Sequence, residues 1–212
     1  MDRFFDANNP LMKFLSRLVD MAVLNLMTIA CMIPVVTAGA AITAMNNVLL
    51  HLVRKDETYV WKMFLASFKQ NLKQGIGLGL LFTAIFTVAG LELMMLHSID
   101  AKSSTMFMII ITVIGVCVFA IGIYTFALLS RYENTVRGTL VNAASLSLGH
   151  ILRTLGMLAV WAAWAALLWL LHGIYLLVLL YGLTIPGYLC AMIYDPIFKT
   201  LEPNEESEAE SI

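Results

Sequence analysis

Between Leu155 and Ile185 the chain runs for 31 residues without a formal charge. Apolar runs of that kind belong to membrane spans, because a hydrocarbon core about 30 Å thick takes about 20 residues of helix to cross. As one helix the run would extend about 46 Å at about 1.5 Å per residue. It must therefore break, and His172-Gly173 divides it nearly in half. Pro186-Gly187 offers a second bend, and Tyr194-Asp195-Pro196 reads as the end of the membrane region. Gly75 to Leu96 and Met106 to Leu129 are two further clear spans, joined by a short loop with Asp100 and Lys102. With 60% hydrophobic and only 13% charged residues, too few polar groups exist to cover a soluble domain of 212 residues.

How often the chain crosses depends on Pro34 to Val53. The apolar run Leu18 to Ile33, interrupted by Asp20, Asn25 and Thr28, precedes it. Pro34 removes a backbone donor and clashes with the preceding turn, so a helix must kink or stop there. Thr37-Ala38-Gly39-Ala40-Ala41 suits either a tight bend or close helix contact. Either one long kinked helix passes through Pro34 or a hairpin turns there. Charge decides between them. With six crossings, 12 of the 13 Lys and Arg residues lie inside and only Lys102 lies outside; with five, Arg3, Lys13 and Arg17 move out as well. The positive-inside rule favours the hairpin, with both termini cytoplasmic. As a helix, Thr37 to Val53 reaches only about 25 Å, so its arm is either a short span or re-entrant and buried against its neighbours.

The expected fold is thus an all-α polytopic membrane bundle of six membrane segments, the first two a hairpin around Pro34–Gly39. An amphipathic helix near 58–73 joins it. Trp61, Phe64, Leu65, Phe68 and Leu72 recur there at helical spacing, with Lys62, Lys69 and Lys73 largely off the stripe. That pattern predicts a helix seated on the anionic inner leaflet of the bilayer, and the apolar stripe argues against nucleic-acid binding. Residues 1–17 read as an interfacial lead-in and Ser130 to Arg153 as a partly helical cytoplasmic connection. Residues 1–201 make one membrane domain, and 202–212 an acidic tail expected to be disordered. Ala38-Gly39-Ala40 has the form of a cleavage site, but the leader would be unusually long and Asp20 opens its apolar run. Cys31, Cys117 and Cys190 sit in separate apolar runs without CxxC spacing, which indicates neither a disulfide framework nor a metal site.

Two groups of residues are candidates for function. Asn46, Asn47 and His51 are polar groups in apolar sequence and should face the bundle interior. They either fix helix packing by hydrogen bonds or line a polar cavity. Glu92 is the one carboxylate well inside a span, a candidate by its depth, although it can also snorkel to the outer interface. The second group, Lys69, Asn71, Lys73, Arg131, Asn134 and Arg153, falls at the cytoplasmic edge as anchors or contacts. No HExxH, nucleophile elbow or Walker loop is present, so no enzyme activity and no cofactor is indicated. Gly75-x-Gly77-x-Gly79 has no strand before it and reads as a packing face, not a dinucleotide loop.

Pro34-Val35-Val36-Thr37-Ala38-Gly39 followed by Ala41 and Ala44, and Phe64-x-x-x-Phe68-Lys69-x-Asn71-x-Lys73-Gln74, recur with a later series of motifs. These are Arg131-Tyr132-x-Asn134-Thr135 with Asn142-Ala143, His150-x-x-Arg153-Thr154, and Pro186-Gly187. In this order, over roughly residues 10 to 200, the chain resembles the YesL family of bacterial inner-membrane proteins, which has no established biochemical activity. The resemblance implies an accessory role beside carbohydrate-uptake and two-component regulatory systems, with a membrane transporter or sensor kinase as partner. The expectation is a non-enzymatic accessory or scaffold protein. The alternative is a small-solute transporter or channel built on Asn46, Asn47, His51 and Glu92, with helices broken at Pro34 and Pro186.

Overall fold

The computed structural model describes residues 10–54, 59–98, 102–132, 134–170 and 175–209. The readings for 1–9, 55–58, Asp100, Glu133 and the His172-Gly173 break lie outside these residues. Helix α1 (Pro10–Met32) leads through a single 3-10 turn (Val35–Thr37) into α2 (Ala38–Arg54) and the short α3 (Val60–Gln70). Then come α4 (Leu72–His97), α5 (Lys102–Leu129), α6 (Val136–Gly149), α7 (Ile151–Leu170), α8 (Tyr175–Tyr181) and α9 (Thr184–Ala209). Among the described residues, six helical segments are long and apolar enough to cross a membrane: those of α1, α2, α4, α5 and α7, and 176–201 across α8 and α9. The molecule is a multi-pass, all-helical membrane protein.

The hairpin forms where the sequence stops a helix. Past Met32 the chain turns, and the Thr37 hydroxyl donates to the Cys31 carbonyl (2.6 Å), an acceptor the ended helix leaves free, and also lies 2.9 Å from the Pro34 carbonyl. Helix α2 then packs back along α1. The small residues after the turn serve contact as well as bending. A Cβ placed on Gly39 would run into the Gly75 carbonyl oxygen and lie 2.7 Å from the Gly79 Cα. Only glycine lets α2 and α4 approach this closely. Gly77 faces open space, so the packing face is Gly75 and Gly79 alone, one turn apart.

Helix α2 is the centre of the molecule. It packs against α1, α3, α4, α5 and α9. Of its span 56% is buried, against 33% for the next most enclosed segment. Around it Leu24, Val48, Leu49, Phe64, Tyr124, Met157, Ile197 and Phe198 form one core. The outward faces of α4 and α5 (Leu91, Met94, Ile109, Val113) are apolar and exposed, as lipid-facing surfaces are.

Three local features differ from the sequence reading. Helix α3 does not present its whole apolar stripe outward: Val60, Phe64 and Ser67 are buried, while Trp61 and Leu65 stay exposed. Periodicity marks the apolar face, and here α1 and α2 cover half of it. The break in the last span falls at Gly182-Leu183, not at Pro186. Pro186 sits in the first turn of α9, where a missing N–H costs nothing. Finally, α9 continues through Pro196, and the apolar segment runs on to Leu201 instead of ending at Tyr194-Asp195-Pro196.

Candidate functional site

Asn46 and Asn47 are neighbours on α2 and turn to different partners. The Asn46 side-chain amide donates to the Ile42 carbonyl (2.9 Å), and its oxygen accepts from the Tyr194 hydroxyl of α9 (3.2 Å). Asn47 donates to the carbonyl of Ser130 at the end of α5 (2.8 Å). His51 follows one turn later, half-buried. Glu92 is not with them. It is exposed on α4, about 20 Å along the helix from the Gly79 contact with α2. The structure therefore gathers three of the four inner candidates on one helix and leaves the carboxylate apart.

The edge candidates divide in the same way. Asn71 separates α3 from α4, its amide donating to the Ser67 carbonyl (3.0 Å). Gln74 donates to the Asn134 carbonyl (3.0 Å), which ties the start of α4 to the loop after α5. The Asn134 side chain accepts from the Thr135 amide (2.8 Å), and Thr135 caps α6 by accepting from Gly138 (3.1 Å). Asn71 and Asn134 thus shape the backbone. Lys69, Lys73, Arg131 and Arg153 are exposed, and the Gln74–Asn134 bond brings the first three to a common edge.

Several residues that organise this region escaped the sequence reading. Asn25 lies fully buried on α1 and serves both sides of the α8–α9 break. Its amide donates to Leu179 (2.7 Å) and, weakly, to Val178 (3.5 Å). Its oxygen accepts from the backbone N–H groups of Leu183 (2.9 Å) and Thr184 (3.2 Å). Trp164 donates its indole N–H to the carbonyl of Gly182, within the break (3.0 Å). At the charged end Arg54 pairs with the buried Asp195 (2.7 Å), whose other oxygen meets Lys199 (2.8 Å). This joins the end of α2 to α9. In the sequence Arg54 is one cation among several and Asp195 stands where the membrane region reads as ending; nothing there links positions 141 apart.

One cavity, of about 590 Å³, lies between the tip of the hairpin and α4, α5, α7 and α9. Asn46 reaches it; Asn47, His51 and Glu92 do not. Its walls are mostly apolar, with Phe82, Phe86, Phe119 and Trp161 prominent. Among the described residues, no group of His, Cys, Asp and Glu could hold a metal ion.

A membrane bundle built around one enclosed, asparagine-bearing helix is the class these observations define. Residues 21–93, from the middle of α1 through most of α4, match the family described as "Protein of unknown function, DUF624". No curated protein and no solved structure gives a significant match. The similarity thus falls on the hairpin and its glycine contact and carries no activity with it.

Proposed function

We propose that this chain is a non-enzymatic accessory or scaffold protein of the bacterial inner membrane, of the YesL kind, with both termini in the cytoplasm. It works through its basic end on a membrane transporter or sensor kinase, in association with carbohydrate uptake or its regulation. The observation that carries the reading is the use made of the interior polar groups. The Asn46 oxygen, Asn47 and Asn25 bond to neighbouring elements, the Asn46 amide bonds within α2, and the ionisable Glu92 lies away from them. A path for a polar solute needs such groups turned towards an aqueous space. Meanwhile Lys62, Lys69, Lys73, Arg137 and Arg153 stand exposed, available to a partner or to anionic lipid.

Two measurements test this. The full chain in liposomes should pass neither ions nor small sugars; flux that Asn47→Leu abolishes would replace the scaffold with a transporter. In native membranes, affinity capture of the chain should retrieve a sugar permease or sensor kinase. Lys69→Glu with Lys73→Glu should lose that partner while the protein still accumulates in the membrane. Undiminished capture by the double variant would remove the basic edge from the contact.

A further inference from the structure

The cavity above the hairpin tip has a shape and chemistry suited to one ligand class. We propose that it holds an acyl chain of a bilayer phospholipid, inserted sideways past the exposed Phe86 and Thr87 of α4. This does not rest on the accessory role and concerns a different part of the molecule.

Depth is the first argument. Phe82 to Thr87 occupy the middle of α4, and Trp161 the middle of α7, so the cavity lies where the bilayer is pure hydrocarbon. Polarity is the second. The polar side chains at the wall are few, Thr83, Trp161 and Cys190 beside two that are engaged: Asn46 uses both ends of its amide, and Thr87 gives its hydroxyl proton to the Thr83 carbonyl (2.7 Å). An ordered water needs two to four polar partners, and an apolar space of this kind stays dry. Size is the third. At about 30 Å³ for each water-sized unit, 590 Å³ takes on the order of twenty methylene groups, one long acyl chain. Access is the last. Phe86 and Thr87 line the cavity and are also exposed on the outer face of α4, so a chain can enter from the surrounding lipid. Phe119 continues that wall inward, edge-on to Phe86 (6.4 Å) and to Trp161 (5.7 Å).

The test uses the full chain in phospholipid vesicles containing a phospholipid with a diazirine at mid-chain, photolysed and mapped by mass spectrometry. Label should concentrate several-fold on Phe119 and Trp161 over Ile85 and Val116, exposed residues at similar heights on α4 and α5. Thr83→Phe, which fills the cavity, should abolish that excess and leave Ile85 and Val116 labelled. Should that variant not fold, Ile42→Phe on α2 fills the same space. Even labelling of Phe119, Ile85 and Val116 in the native chain overturns the proposal. So does modification of Cys190, at the cavity wall, by a charged thiol reagent in a Cys31→Ala, Cys117→Ala background, because that requires water inside.

Discussion

Asn25 shows how much a single side chain can carry inside a membrane. A helix broken at hydrocarbon depth exposes carbonyls at the end of α8 and N–H groups at the start of α9, with no water to bind them. Asn25 offers a donor and an acceptor to both ends at once. An average interhelical hydrogen bond in a membrane is worth only about 0.6 kcal/mol, but a buried group left without a partner costs about 1–3 kcal/mol. Leaving the break unserved therefore outweighs losing one bond. Asn25→Leu should lower the thermal unfolding midpoint of the detergent-solubilised protein clearly more than Asn47→Leu, which removes a single bond to Ser130. Equal midpoints for the two variants would show that the break finds other partners. None of this was legible in the sequence. Asn25 is one polar letter in an apolar run, and the backbone it serves lies 153 to 159 positions away.

At the scale of the element, α3 divides its apolar side between the protein and the surroundings. Phe64 is fully buried, whereas Trp61 is 51% exposed beside Lys62, whose ammonium lies 5.4 Å from the Trp61 ring. A hydrophobic stripe at helical spacing says that one face avoids water; which neighbour covers it depends on the tertiary fold. The exposed Trp61, Leu65 and lysines remain suited to an anionic bilayer surface, where each lysine contributes about 1 kcal/mol. In vesicles with anionic lipid, Trp61 should be quenched by lipids brominated near the headgroup. Changing Lys62, Lys69 and Lys73 together to Glu should reduce that quenching; no change would place α3 away from the surface. The bend at Gly182 belongs to the same scale. Pro186 is the stronger breaker in the sequence, yet a proline in the first turn of a helix disturbs nothing.

For the whole molecule, length and charge proved informative because they are summed over many residues. The number of apolar segments follows from helix length, while Pro34 marks where the helix is interrupted and the balance of Lys and Arg favours a reversal there over a kink. The identity of the central helix could be guessed from its small and amide residues, though its neighbours could not. Reporter fusions at each end of the full chain should both register the cytoplasm; an external signal at the amino end would require an odd number of crossings. The central place of α2 also bears on how the protein is made. Asn46 waits for Tyr194, synthesised 148 residues later. At about 5–20 residues per second that delay is roughly 7 to 30 s. During it a nascent α1–α2 hairpin holds unshielded amides in or beside the insertion machinery. A ribosome stalled before α9 would leave a fragment that cannot close its core, a ready substrate for membrane quality-control proteases.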